Sequence, residues 1–250
     1  MKSLALISVV ITGWLLLSAV GDFPDWGDPN SPANSYRLSQ HFVTETFHET
    51  AVPNMVTAVL ADYRGYDTMF ETVVIFTAGI AIISILRRFT SDGADAGTEK
   101  VYEKRPDLIV DTTCRLMIPI IQLFALYVIA HGHHSPGGGF QGGVIFGASF
   151  ILIALSRDLQ AAHKWVPEQR VLNLAGIGIL IYAGFGLASM FLGQNFLDYA
   201  ILHKIMPASP IEARYHSMLG VEIGVAFTVT AIMYSIYSNL ASKGTMKEGL

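Results

Sequence analysis

Six apolar runs separated by polar stretches organise the chain: residues 4–20, 68–86, 114–130, 140–155, 171–192 and 219–237. A helix rises about 1.5 Å per residue, so runs of this length match a hydrocarbon core of about 30 Å. The pattern predicts an all-α integral membrane helical bundle of about six transmembrane helices. The first run follows Lys2 and ends near Ser18, Ala19 and Gly21, which also resembles a cleavable signal peptide; it is read as an uncleaved anchor. Residues 21–64 are polar, with Pro24, Pro29, Pro32 and Pro53 and the acids Asp22, Asp25 and Asp28. That segment is expected outside the membrane, leaning on a neighbouring subunit because it cannot bury itself. Residues 52–60 within it are apolar enough to lie at the interface or to pack on a partner. Residues 89–105 have the composition of a flexible link. The expected organisation is a two-span module over 1–88, a cytoplasmic linker over 89–106 and a four-span module over 107–250.

Composition agrees with a membrane protein. Hydrophobic residues make up 52% and charged residues 14% of the chain, whereas soluble domains carry roughly 25% charged residues. A formal net charge of −4 and the absence of a basic run give no electrostatic case for nucleic acid. Lys and Arg are retained on the cytoplasmic side of membranes. Placing the amino terminus inside puts 12 of the 16 basic residues inside and leaves Arg37, Arg64, Lys204 and Arg214 outside. Both termini are therefore expected to be cytoplasmic.

Between the third and fourth spans lies His131-Gly132-His133-His134-Ser135-Pro136-Gly137-Gly138-Gly139-Phe140-Gln141-Gly142-Gly143. Glycine permits turns and close backbone approach, and Pro136 removes a donor, so a continuous helix is not expected there. Irregular backbone at membrane depth is tolerated only against protein or a wet cavity, which places this loop against neighbours on the outer face. It lacks the Lys-Ser/Thr ending of a phosphate-binding loop. His131, His133 and His134 raise the question of a metal, but no Cys or Asp accompanies them, and helix-capping or water-facing histidines fit better. Cys114 is the single cysteine, which excludes an intrachain disulfide and a cysteine metal cluster. Gly176, Gly178, Gly184, Gly186 and Ala188 in the fifth span suggest close helix packing.

Acidic residues within spans are costly and mark ion or proton pathways by default. Asp67 and Glu71 are four apart, so they share a helix face, with Glu71 one turn deeper. Asp67 fits a helix-start acid at the interface, and Glu71 fits a functional group. Glu222 lies inside the sixth span, with Tyr215 and His216 upstream as candidate partners, and both transport and structural pairing are open to it. Asp111 and Arg115, also four apart, read as an ion pair.

The motif Gly132-His133-x-x-Pro136-Gly137-Gly138-Gly139-Phe140-x-Gly142-Gly143 resembles the signature of the B subunit of the Mrp-type multisubunit sodium/proton antiporters, which membrane-bound hydrogenases share. Glu222-Ile223-Gly224-Val225 resembles that family's acidic motif in the last span, with Glu where antiporter members often have Asp. This resemblance covers about residues 107 to 250. Val56-Thr57-Ala58-Val59-Leu60-x-Asp62-Tyr63-Arg64-Gly65-Tyr66-Asp67-Thr68-x-x-Glu71 is similar to the carboxyl-terminal part of the antiporter A subunit, and to a separate small membrane subunit in membrane-bound hydrogenases.

The resemblance implies a non-catalytic, cofactor-free and metal-free subunit of the cytoplasmic membrane, surrounded by other membrane subunits and lipid. It implies that Glu71 belongs to the ion-conducting interior and that Gly132, His133, Pro136, Gly137, Gly138, Gly139, Phe140, Gly142 and Gly143 hold helices together beside it. With Asp67 behind Glu71, and with Glu222 as a further candidate from its place in the last span, these acids are the expected handlers of sodium ions or protons. The alternatives are an ion-translocating subunit of a redox-driven complex of the membrane-bound hydrogenase type, a purely structural subunit, and a membrane zinc hydrolase using the three histidines.

Overall fold

The computed structural model describes residues 2–31, 36–92, 108–242 and 244. The chain divides into two compact units, Met1–Glu45 and Thr46–Leu250. In the first, helix α1 (Lys2–Val20) is apolar, and its side chains from Leu6 onward are exposed almost throughout. Turns follow, including one in which Asp28 accepts the Asn30 N–H at 2.9 Å. Helix α2 (Tyr36–Thr50) begins in this unit. It lies in the polar segment that the sequence pattern excluded as a span, and its composition carries no strong apolar period.

The second unit starts with the last turn of α2 and the short helix α3 (Met55–Ala58), which passes into a π-helical turn over Val59–Tyr63. Five long apolar helices follow: α4 (Gly65–Asp92), α5 (Leu108–Ala130), α6 (Gly139–Arg157), α8 (Glu168–Phe191) and α9 (Pro210–Ala241). Helix α7 (Leu159–Trp165) and a 3-10 turn over Tyr199–Lys204 sit in the connections. The five helices are long and apolar enough to cross a membrane, and the fold is an all-α membrane bundle. The link expected over 89–106 lies, from residue 93 onward, outside the described residues.

Helix α9 is the core. It packs against α4, α5, α6 and α8, and 67% of its most apolar stretch is buried, against 6% for α5. The sequence pattern placed its start near residue 219, but the helix begins nine residues earlier. Ser209 accepts the Glu212 N–H, the Glu212 carboxylate accepts the Ser209 N–H, and Pro210 occupies the first helical position. Such a reciprocal cap satisfies donors that a helix end leaves open. The 32-residue helix is about 48 Å long, so its polar first turns extend past the apolar slab.

Ion pairs tie the two ends of the bundle. At one end Asp111 pairs with Arg115 at 2.7 Å, as expected, and also with Arg157 at 3.3 Å. At that same end Arg87 pairs with Glu168 and reaches Asn239. At the opposite end Arg214 Nε donates to Asp62 at 2.6 Å, Arg214 Nη1 donates to the Glu49 carbonyl at 3.2 Å, and the Tyr63 hydroxyl donates to the Glu49 carboxylate.

Glycines set the helix spacing, although not all those expected to. A side chain at Gly178 would collide with the Gly224 carbonyl, and one at Gly186 with the Phe196 ring, whereas Gly176 and Gly184 face nothing within 4 Å. Gly178→Ala is therefore expected to lower stability by about 1–3 kcal/mol, because the Gly224 carbonyl and the Thr228 N–H opposite are backbone and cannot move aside, and the Thr228 hydroxyl lies as close as that carbonyl. Gly184→Ala should leave stability equal or slightly higher. Thermal unfolding midpoints in detergent measure both, and equal effects of the two substitutions would contradict this packing.

Candidate ion site

The π-helical turn, α4, the glycine loop, the start of α6, α8 and α9 line a partly open cavity of about 390 Å³. Glu71 enters it from α4 and Glu222 from α9. Glu71 is exposed at the cavity, whereas Glu222 is 9% exposed and its Oε2 has no hydrogen-bond partner among the described residues. Among the described residues no Lys, Arg or His lines the cavity. An unpaired carboxyl in a low-dielectric setting strongly favours a proton or a cation. Thr68, Thr72, Gln141 and Tyr182 supply further polar atoms to the walls.

Glu222 fits there because the loop beside it has no side chains. A Cβ at Gly132 would lie 3.0 Å from Glu222 Oε2, and one at Gly138 would lie 2.9 Å from Oε1. At Gly139 it would overlap the Glu222 backbone carbonyl. Gly138 also has φ +127°, a conformation that L side chains rarely adopt, and it immediately precedes α6. The loop is thus a turn from 131 to 138, with Gly139, Phe140, Gly142 and Gly143 already helical. Gly142 approaches the Ala125 carbonyl of α5, and Gly143 the Ala226 carbonyl of α9.

Asn54 holds the loop from the other side. Its backbone N–H donates to the His133 carbonyl at 3.0 Å, and its Nδ2 donates to the carbonyls of Gly132 and Ser135, each at 2.8 Å. The Thr57 hydroxyl donates to the same Gly132 carbonyl at 2.7 Å. Asn54 Oδ1 meanwhile accepts the Val56 N–H and caps α3.

The other sequence candidates fall elsewhere. Asp67 does not line the cavity; its Oδ2 accepts from Arg64 Nε at 2.6 Å on an exposed surface. Tyr215, considered as a partner for Glu222, instead places its hydroxyl 3.3 Å from His134 Nε2 and packs against the edge of the His133 ring, 4.4 Å between centroids. His131 stacks on Tyr127. Among the described residues no three His, Cys, Asp or Glu side chains are arranged to hold a metal. The sequence reading did not single out Asn54, and it gave no individual role to Thr57 and no pairing to Asp62 and Arg214. Pro53-Asn54-x-x-Thr57 has the look of a helix start, and Ser209-x-x-Glu212 that of a capping box, so both signals were available.

Burial dominates the electrostatics near the loop. Asp62 is raised above the usual carboxylate range by burial, which outweighs the hydrogen bond and charge of Arg214. Tyr63 is pushed up to about 12 by burial and by the neighbouring Glu49. His133, 1% exposed, is held down at about 4 by burial and by the charges of His134 and His216.

Residues 109–235 match the model of the family described as a domain related to the MnhB subunit of Na+/H+ antiporters. The chain belongs to that family. A second model, the E subunit of MBH, matches residues 31–100. The Na+/H+ antiporter B subunit of Bacillus subtilis (strain 168) is 35% identical over 105 residues, covering 42% of this chain and 73% of that protein. The probable K+/H+ antiporter A/B subunit of Rhizobium meliloti (strain 1021) is 28% identical over 191 residues, covering 68% of this chain; the chain spans only 19% of that protein's length. Among solved structures, the Mrp complex from Dietzia sp. DQ12-45-1b contains a chain with TM-score 0.61 and 25% identity, covering 96% of this chain and 26% of that one. The membrane-bound sulfane sulfur reductase, an archaeal respiratory membrane complex, contains a chain of the same fold with TM-score 0.59 and 24% identity, covering 93% of this chain and 97% of that one.

Because His133 titrates lower in the folded chain than the ordinary value of 6.5, the unfolded chain binds the extra proton. Its contribution to stability is full above about pH 6.5 and is lost as pH falls toward about 4. His133→Phe, which keeps a ring against Tyr215, should flatten that part of the pH–stability curve. Unfolding midpoints measured across this window provide the check, and parallel curves would contradict the assignment.

Proposed function

We propose that this chain is a membrane subunit of a multisubunit cation/proton antiporter assembly and contributes to ion translocation. The observation that carries the reading is one cavity that holds two carboxylates from different helices, one of them buried with an oxygen that finds no partner, and no basic residue on its walls, among the described residues. Sodium ions and protons are the species proposed. Glu71 and Glu222 exchange them, and Asp67, paired with Arg64, influences the mouth of helix α4 rather than the cavity itself. The basic-residue bias of the loops supports a cytoplasmic location for both termini and insertion in the cytoplasmic membrane. In this reading the chain catalyses no reaction alone, binds no redox cofactor, and works among other membrane subunits.

The modules proposed are 1–88, with two spans, and 107–250, with four, joined by a cytoplasmic link. The match of residues 31–100 to the E subunit of MBH favours a second reading, in which the same ion site serves a redox-driven complex. The two separate on what accompanies the chain through gentle detergent purification. Partners that are all transporter subunits support antiport, whereas iron–sulfur or nickel proteins support redox-driven pumping.

Glu71→Gln and Glu222→Gln keep side-chain size and remove the charge. Each is expected to reduce cation-dependent proton movement in membrane vesicles to background while the complex still assembles. Wild-type rates in both variants would leave the chain a purely structural subunit.

A further inference from the structure

We infer that Asn54 and Thr57 are positioning residues for the Glu222 carboxyl, acting through the backbone of the glycine loop. The inference rests on the proposed role of Glu222 and goes beyond it. It assigns control of the acid on α9 to two side chains that precede α4 and never touch that acid in hydrogen-bond geometry.

The chain of contacts is short. Thr57 and Asn54 both donate to the Gly132 carbonyl, at 2.7 and 2.8 Å. A Cβ on Gly132 would meet Glu222 Oε2, and one on Gly138, also at the turn, would meet Oε1. Asn54 Nδ2 further donates to the Ser135 carbonyl and its N–H to the His133 carbonyl, so one residue fixes the loop at three points. Glu222 itself has no hydrogen bond to hold Oε2. Its carboxyl is therefore placed by van der Waals contact with a loop whose own position is set by these donors. Release of the donors lets the loop move off the carboxyl and opens room for water, which alters how Glu222 takes up a proton. Among the described residues, the other titratable groups on the cavity wall are Glu71 from α4 and Tyr182 from α8, and α5 and α6 bring none to it.

The donors can be removed without removing the fold. Asn54→Ser keeps an α3 N-cap but cannot reach the loop carbonyls. Thr57→Val is close to isosteric and loses the bond donated to the Gly132 carbonyl together with the one its hydroxyl accepts from Asn54 Nδ2, and Thr57→Ser restores both. The assembled complex, in membranes, is treated with dicyclohexylcarbodiimide, an apolar reagent that modifies protonated carboxyls, and the adducts on Glu222 and Glu71 are quantified by mass spectrometry as pH is varied. Asn54→Ser and Thr57→Val are each expected to displace the Glu222 labelling profile by about half a pH unit or more. Thr57→Ser should follow wild type, and Glu71, which stands on α4 and makes no hydrogen bond to the loop among the described residues, should label unchanged in all variants. A general loosening of the bundle would move Glu71 together with Glu222 and would overturn the inference. Labelling of Glu222 that superimposes on wild type in both variants overturns it as well, while leaving the proposed function intact. Absence of label on Glu222 in wild type and every variant overturns both. Thr57→Val decides the matter if the Asn54 variant does not assemble.

Discussion

Close backbone contact along α9 is the constraint on which the bundle depends. Without a hydrophobic driving force between helices in lipid, association relies on packing and on hydrogen bonds across the contact. Here α6 and α8 approach α9 so nearly that side-chain hydroxyls reach neighbouring carbonyls: Thr228 donates to Ala175 and Thr230 to Gly143, each at 3.0 Å. Gly143, Gly178 and Gly224 leave the space for this, since a Cβ at each would press on opposing backbone. Where this contact gives way at one end of α9, the π-helical turn and the glycine loop close over a cavity instead. The same absence of side chains that lets helices touch also lets the Glu222 carboxyl sit enclosed.

The ion-paired end of α9 follows from its length. Once the capping box starts the helix at Pro210, Arg214 is carried to Asp62 beside the π-helical turn. Asp62 and Arg214 are both substantially buried, and breaking such a pair by removing one partner costs about 3–5 kcal/mol. The pair anchors the segment that contributes Leu60 and Ala61 to the cavity wall, and Tyr182 ties the start of α4 by donating to the Gly65 carbonyl at 2.8 Å. The site is therefore held from two sides, by Asn54 at the loop and by Arg214 at the turn.

The long helices were legible because apolar length is dictated by the membrane itself, and the two acids within spans stood out against it. The glycines were only partly legible. Gly178 and Gly186 fall on one helical face with Ala175, Tyr182 and Ser189, which are buried, while Gly176 and Gly184 fall off it. A helical-period reading would have separated them. Boundaries failed where polar residues continue a helix, as at 210–218, because Arg214 looks like loop sequence until Asp62 is seen beside it. The contact of Glu222 with Gly132 was beyond reach: it joins segments far apart in the chain, and nothing in local sequence encodes it.

A buried carboxyl, a second carboxylate on the same cavity and membership in the MnhB-related family are the grounds for the proposal that Glu222 and Glu71 handle ions. If so, these two side chains change protonation or cation occupancy as the assembly works. Infrared difference spectroscopy on the purified complex, cycled between acid and alkaline pH with and without sodium, addresses that claim most directly. The account predicts a protonated-carboxyl band that responds to pH and sodium and disappears in Glu222→Gln. A difference spectrum identical in wild type, Glu71→Gln and Glu222→Gln would contradict it.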